Sequence, residues 1–303
     1  MKAILVAAAL AIACASGALS AAQTESRSTQ IAHINHFFAT VDPATASAIR
    51  DSEFLRRFAN FEVRTTTGTQ STWTGRYLAG RQTYIEFFAP EDFAIDGAPA
   101  PIGAWGIGLS GDRRGSVADL KSRLEAAGHQ AVIEPQTRRF GDRTVPWFSA
   151  LTAVSAYGDS GGIRDTVLLW AMEYEPSYFE LAEAAKEPAE NEQDVISRER
   201  YQPDSYLQRM MRDVSLVEFE LPPGDYARIE PLLRAAGYRM RRSGNRVTAR
   251  GLQDAFVFNL SRDRRGLRRI EFTLNRPQPR RVETIGRSRL AVGPAATATW
   301  TFE

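Results

Sequence analysis

The 303-residue sequence contains one cysteine, Cys14, and only three histidines. A single cysteine excludes a disulfide framework and a cysteine-based zinc cluster. Lysine is almost absent as well, because it occurs only at Lys2, Lys121 and Lys186. Basic charge is therefore carried by arginine, and it is unevenly distributed. The segment 228–289 holds 17 arginines but only five acidic residues, although the formal net charge of the whole chain is only +2.

Long apolar runs are also missing, except at the N-terminus. After Lys2, small and apolar residues continue to Ala13, and small residues recur around 18–22. This pattern is typical of a secretory signal peptide, so we expect residues 1–21 to be removed and the protein to be exported, periplasmic or extracellular. The run is too short for a transmembrane helix. If "LAIAC" is instead a lipobox, Cys14 becomes the lipidated first residue of an anchored lipoprotein.

The sequence carries one motif that suggests a protease. Gly-Asp-Ser-Gly-Gly around Ser160 matches the nucleophile signature of trypsin-like serine proteases, which also need a histidine base and a buried aspartate. None of the histidines, His33, His36 and His129, lies in the small-residue, cysteine-flanked context of that family, and Ile163 stands where the family has proline. We interpret the motif as a hairpin loop between two strands. The sequence also lacks a glycine-rich phosphate loop of Walker or dinucleotide type.

Three segments of the chain share one order of elements, namely a strand, a helix and three further strands. In the first segment, Asp42 and Pro43 supply a helix cap and a proline at the first helical position. In the second segment, Ser116 is the predicted cap and Gly128 ends the helix. The helix of the third segment ends at Gly237, and its last turn "LRAAGY" echoes "LEAAGH" of the second. The sequence therefore predicts repeated βαβββ units.

These units divide the chain into regions. We expect residues 30–182 to form two paired units and residues 214–303 to form a third unit that ends in a hairpin turning at Gly293-Pro294. Between them, residues 183–213 are acidic and interrupted by Pro188 and Pro203, which indicates a helical linker around the outside of the fold.

Two short motifs give the repeats a family resemblance. "INHFFATVD" places a histidine on a first strand shortly before a helix, and "TYIEFF" places a glutamate on a fourth strand. The sequence thereby resembles the vicinal-oxygen-chelate superfamily of glyoxalases and extradiol dioxygenases, and more closely a bacterial glyoxalase-like family with no assigned activity. The resemblance implies an α+β fold in which the βαβββ units form half-open, barrel-like sheets with helices on the outer face.

The resemblance also implies a divalent metal, zinc, iron, manganese or nickel, held inside the paired sheets. The implied ligands are His36, Glu86 and, from the last strand of the second unit, Glu173. The first strand of that unit offers Trp105 or Gly106 at the expected position, and neither binds metal. Each ligand also has a simpler interpretation: His36 as a core histidine, Glu86 as an arginine partner and Glu173 as part of an acidic surface. His33 points away from His36 unless the strand bulges.

Aromatic residues on the predicted strands favour a small-molecule ligand. Strand alternation sends about half of them towards the helices and half into the concave face, which then suits a flat or apolar molecule. Two functions stay open: a metal-dependent lyase, isomerase or dioxygenase, and a non-catalytic, envelope-associated binding or scaffold protein with a degenerate metal site. The unit left without a partner leads us to expect packing against the others or a homodimer.

The arginine-rich third unit indicates a negatively charged partner. Nucleic acid is the usual partner of such a cluster, but an exported protein seldom meets it. One interpretation pairs these arginines with the acidic segment Glu187 to Glu199. The other is a weak, salt-sensitive contact with the anionic head groups of an envelope membrane.

Overall fold

A computed structural model describes residues 30–69, 71–95, 97–153, 166–181, 188–189 and 195–303. The predicted signal peptide, Cys14 and the loop that contains Ser160 lie outside these residues, so the interpretations of all three stay predictions. In the described part of the chain, no helix combines the length and apolarity that a membrane span needs.

The first eight-stranded sheet contains two βαβββ units. Unit 1 comprises β1 (His33–Thr40), α1 (Pro43–Asp51), α2 (Glu53–Phe58), β2 (Asn60–Thr67), β3 (Thr72–Ala79) and β4 (Tyr84–Phe88). A small ribbon follows, made of β5 (Ala94–Ile95) and β6 (Ala98–Pro99). Unit 2 comprises β7 (Trp105–Ser110), α3 (Ser116–Ala126), β8 (Ala131–Phe140), β9 (Arg143–Ala153) and β10 (Val167–Tyr174). The strand order β2-β3-β4-β1-β7-β10-β9-β8 makes the two first strands central neighbours.

A second eight-stranded sheet repeats this strand order as β12-β13-β14-β11-β15-β18-β17-β16. Between the sheets the chain forms the short helix α4 (Arg198–Tyr201). Unit 3 then comprises β11 (Met211–Leu221), α5 (Pro223–Ala236), β12 (Arg239–Ser243), β13 (Arg246–Arg250) and β14 (Ala255–Leu260). A fourth unit completes the sheet with β15 (Gly266–Leu274), β16 (Arg281–Ile285), β17 (Ser288–Val292) and β18 (Thr297–Phe302).

The fourth unit differs from the expectation of a third unit with an appended hairpin. Its first strand, β15, is the strand that the sequence assigns to the end of unit 3. In place of a helix it has the proline-containing connection 275–280. In units 1 to 3, the helix after the first strand carries the chain back to the end of the sheet at which that strand begins. The first and last strands of these units therefore pair in parallel. Without that return, β15 and β18 pair antiparallel.

The helices and both sheets share one hydrophobic core. Asp42 caps α1 by accepting a hydrogen bond from the Thr45 amide, and Gly237, at φ +99°, ends α5, both as predicted. Across the core, the Trp105 and Phe219 rings stack with their centroids 4.0 Å apart, which joins β7 of the first sheet to β11 of the second. The predicted α+β fold of repeated βαβββ units is therefore confirmed, with the helices packed between two curled sheets.

The described residues 176–180 and 195–209, which follow β10, lie inside the first sheet and not around the outside of the fold. They comprise the 3-10 helix Pro176–Glu180 and residues 195–209. We call residues 195–209 the strap. Tyr178, Phe179 and Tyr201 from these two parts are buried in a second core cluster on the concave face. Within the predicted linker 183–213, residues 195–209 therefore differ from an outer helix, because Tyr201 packs into the concave cluster, whereas residues 183–187 and 190–194 lie outside the described residues.

Several arginines of the second sheet pair with glutamates of the same sheet. Glu218 contacts Arg246 and Arg269, and Glu220 contacts Arg264 and Arg268. Glu199, which was expected to neutralise these arginines, instead pairs with Arg81 of the first sheet. The predicted pairing is therefore wrong for Glu199; the other acidic residues of the segment lie outside the described residues, so their pairing and a membrane contact stay predictions.

We expect Trp105→Ala to lower the free energy of unfolding by about 3–5 kcal/mol, because it removes a large, fully buried ring from the contact between the sheets. Urea unfolding followed by circular dichroism measures the change. The control is Leu252→Ala, since Leu252 is 61% exposed. A loss below about 1 kcal/mol at Trp105 would mean that the stacked rings contribute little to holding the sheets together.

Candidate functional site

The concave face of the first sheet encloses a cavity of about 550 Å³. We call it the aromatic cavity, because its walls include Phe38, Trp73, Phe88, Trp147 and Trp170. The predicted alternation of aromatic residues is confirmed, since Phe37, Phe87 and Trp105 point the other way into the core shared with the second sheet. Two buried polar side chains, His36 and Glu86, also line the aromatic cavity, whereas the polar lining residues Glu134 and Gln136 of unit 2 are exposed and partly exposed.

His36 is positioned by a bulge in β1. The pairing of β1 with β7 shifts between Ile34 and His36, so Asn35 is an extra residue. Asn35 Oδ1 lies 2.7 Å from His36 Nδ1, and Asn35 Nδ2 donates to the Tyr174 hydroxyl. This arrangement assigns the proton to Nδ1 and leaves Nε2 with the lone pair. Burial lowers the pKa of His36 to about 3, so the imidazole is neutral.

The imidazole of His36 occupies space that β7 leaves free. It stacks on Tyr84 with the ring centroids 4.5 Å apart. A Cβ atom added to Gly108 would lie only 2.5 Å from His36 Cε1, and one added to Gly106 would lie 2.3 Å from Phe38 Cε1. The two glycines of β7 therefore let the side chains of β1 lie across the neighbouring strand.

Glu86 is the second buried polar group of the aromatic cavity. It is 8% exposed, and no hydrogen bond joins its carboxyl group to the rest of the described chain. Burial raises its pKa to about 7, while Arg64 and Arg138 oppose the rise. Near neutral pH the group is therefore present in both its protonated and its ionised form, so it can donate or accept a hydrogen bond.

The strand pairing shows which residues of unit 2 correspond to His36 and Glu86. In unit 1, His36 pairs with Tyr84, two residues before Glu86. In unit 2, Gly108 pairs with Trp170, two residues before Met172. Unit 2 therefore places Gly108 and Met172 where unit 1 has its histidine and glutamate, so the two halves of the aromatic cavity are chemically different.

This donor set does not fit a chelated metal. A catalytic metal site of the implied kind uses at least three protein ligands, and unit 1 supplies only the imidazole and one carboxylate. Across the described residues, no three His, Cys, Asp or Glu side chains are grouped so that they could hold a metal ion.

Glu173, the third residue implied by the resemblance, lies on the opposite face of β10. Its carboxylate accepts hydrogen bonds from the Gly115 amide, the Ser116 hydroxyl and the Val117 amide, at 2.9, 3.0 and 3.1 Å. Glu173 thus caps α3 in place of Ser116, which is the first helical residue and not the predicted cap. The structure brings His36 and Glu86 together but leaves Glu173 outside the aromatic cavity.

The strap holds one side of the concave face in place. Arg198 donates to both carboxylate oxygens of Asp112 and to the backbone carbonyl of Ile34. The Tyr201 ring stacks on Tyr174, with the centroids 4.5 Å apart. His33 lies in this charged environment and does not line the aromatic cavity; burial, followed by the nearby Arg198, lowers its pKa.

Sequence reasoning missed several residues of this site. Asn35 could not be found, because a bulge depends on the pairing of two strands. Gly106 and Gly108 did carry a signal, since glycines inside a strand indicate that another group approaches closely. Arg64 and Arg138 carried no signal in the sequence, because they lie on opposite edges of the sheet and meet only when the sheet closes.

Residues 34–302 match the model of a family described as a family of unknown function (DUF5829). The chain belongs to this family. A search of curated proteins found no match.

Several solved structures are similar to the chain. A hypothetical protein from Staphylococcus aureus is 11% identical, with 77% of this chain and 87% of that one covered and a TM-score of 0.49. The Mn(II)-bound glyoxalase from Novosphingobium aromaticivorans is 10% identical, with coverages of 88% and 81% and a TM-score of 0.40. An extradiol ring-cleaving dioxygenase from B. fuscum is 11% identical, with coverages of 76% and 53% and a TM-score of 0.34. All three scores are below 0.5, so the assignment to a glyoxalase-like, vicinal-oxygen-chelate fold depends on the paired βαβββ units of the chain itself.

We expect Glu86→Gln to stabilise the protein increasingly as the pH rises. The folded state binds the Glu86 proton up to about pH 7, whereas an ordinary glutamate releases it near 4.5. The folded wild type therefore holds more protons in this range, and its stability falls with pH relative to the variant, by roughly 3 kcal/mol above pH 7. Urea unfolding at pH 4.5, 6 and 8 measures the difference. The exposed Glu91→Gln control should show no such trend, and a flat profile for Glu86→Gln would contradict the burial of this carboxylate.

We expect Glu173→Gln to destabilise the protein by about 1–2 kcal/mol, because an amide cannot replace a carboxylate that accepts three hydrogen bonds at a helix N-terminus. Thermal and urea unfolding measure the loss. Ligand binding in the aromatic cavity should be unchanged. A variant of normal stability that had lost ligand binding would show instead that Glu173 acts in the cavity.

Proposed function

We propose that the chain binds a small, flat and largely apolar molecule in the aromatic cavity, and that it does so without a resident metal. A volume of about 550 Å³ is within the range of small-molecule sites, which are mostly apolar with a few well-placed polar groups. The aromatic walls provide stacking surfaces for a flat ligand.

One observation carries the proposal: unit 1 places His36 and Glu86 opposite Gly108 and Met172 of unit 2. A ligand in this cavity meets the buried polar groups of unit 1, whereas the corresponding positions of unit 2 are apolar. Neutral His36 offers Nε2 as a hydrogen-bond acceptor, and Glu86 offers a donor or an acceptor near neutral pH. The arrangement favours a ligand with a hydroxyl group at one end of a flat body.

A second function, proton transfer to or from the bound molecule, is favoured by Glu86 alone. A buried carboxyl group whose pKa is about 7 is suited to general acid–base chemistry at neutral pH. In this function His36 orients the ligand and Glu86 moves the proton. It requires that the ligand carry an acidic C–H or O–H bond within reach of the carboxyl group.

The proposal is tested with 2-naphthol, a flat probe with one hydroxyl group, titrated against the intrinsic tryptophan fluorescence. Ala150→Phe fills part of the aromatic cavity, since Ala150 is one of its lining residues, and should weaken binding at least tenfold, about 1.4 kcal/mol. The matched control is Ala291→Phe, which adds the same ring on an exposed position of β17. His36→Ala should weaken binding by a smaller factor.

Export of the protein also stays a proposal, because it depends on residues 1–21. Two results would contradict the binding function: Ala150→Phe that binds 2-naphthol as tightly as the wild type, or wild-type binding that disappears when EDTA removes divalent ions.

A further inference from the structure

A second, smaller cavity of about 290 Å³ lies beneath the strap. We call it the arginine cavity, because Arg64 and Arg138 line it together with Tyr77, Tyr178 and Tyr201. Tyr84, on which His36 stacks, lines both this cavity and the aromatic cavity. The two cavities are therefore neighbours within one concave face.

The two arginines meet because the edges of the first sheet meet. Arg64 is on β2 and Arg138 is on β8, at opposite ends of the strand order. A bridge between Gly68 and Arg138 and a hydrogen bond from the Thr137 amide to Thr69 Oγ1 join these edges. Closure of the sheet thus concentrates two positive charges that are far apart in sequence.

Arg138 is held in position without a carboxylate partner. Its Nη1 donates to the Tyr178 hydroxyl at 2.7 Å, and its guanidinium lies over the Trp147 ring at 5.3 Å. No ion pair joins it to an acidic residue in the described ranges of the chain. A guanidinium has five N–H donors, so most of those of Arg138 are available to a ligand.

Arg64 differs, because its charge is already shared. It pairs with Glu62 at 2.5 Å and lies over the Tyr77 ring at 4.2 Å. The Arg64–Glu62 pair is close to neutral, so Arg138 and Arg209, which also lines the arginine cavity, carry its uncompensated positive charge. An anion balances this charge, and a planar carboxylate matches the fork of the Arg138 guanidinium.

We propose that the arginine cavity is an anion subsite in which Arg138, assisted by Arg64, binds the carboxylate of a small organic acid. The proposal deepens and partly rests on the proposed function, because the flat, apolar body of the same ligand lies in the neighbouring aromatic cavity. The ligand class is then an aromatic or similarly flat carboxylic acid. Tyr178 and Tyr201 add hydroxyl groups to the wall of the subsite.

Calorimetric titration with benzoate, benzyl alcohol and phenyl phosphate tests this subsite. The wild type should bind benzoate at least tenfold more tightly than the neutral alcohol. Arg138→Gln should remove this preference and leave the binding of benzyl alcohol unchanged, and Arg64→Gln should reduce it by a smaller factor. Arg139→Gln is the matched control, because Arg139 is the next residue of β8 and its side chain is 57% exposed.

Three outcomes would overturn the subsite: benzoate bound no more tightly than benzyl alcohol, Arg138→Gln that keeps the preference, and tighter binding of phenyl phosphate than of benzoate. If Arg138→Gln does not fold, Arg64→Gln and the rise in wild-type melting temperature with benzoate decide instead, and no rise overturns the proposal. Failure of the proposed function is distinguishable. In that case 2-naphthol does not bind in the aromatic cavity, whereas benzoate still binds and depends on Arg138.

Discussion

The close approach of His36 to Gly108 determines the character of the concave face. β1 and β7 are central neighbours, and a side chain at residue 108 would collide with the imidazole. Because glycine stands there, one histidine occupies the space that two symmetric side chains would otherwise share. The equivalent strand pairing of unit 2 places Met172 where unit 1 has Glu86. The result is a cavity whose buried polar groups come from one unit only, in a fold whose repeats would otherwise make the halves alike.

The second sheet repeats the strand order of the first, but the face that corresponds to the concave face of the first sheet has a different composition. Val217, Phe219 and Leu221 of β11 point into the shared core, so Glu218 and Glu220 lie on the opposite face. Both carboxylates are buried by the arginines that pair with them. The concave face of the first sheet therefore holds a cavity, whereas ion pairs cover the corresponding face of the second sheet.

Local signals in the sequence predicted the repeated units, the capped start of α1 and the glycine end of α5, because these depend on neighbouring residues. Features that depend on strand pairing were not predictable in this way. Glu173 illustrates the difference: a shift of one residue along β10 exchanges the cavity face for the helix face, and the pairing places Met172 towards the aromatic cavity. The fourth unit was missed because it has no helix to mark it, and the inward position of the strap was missed because its charge suggested solvent.

The central claim is that one half of a chelating site is missing, and zinc binding measured by equilibrium dialysis tests it most directly. The account predicts that the wild type holds no stoichiometric zinc that depends on His36. Met172→Glu, which supplies a third donor at the position corresponding to Glu86, should gain one equivalent. A wild-type chain that binds one zinc ion and loses it in His36→Ala would contradict the account.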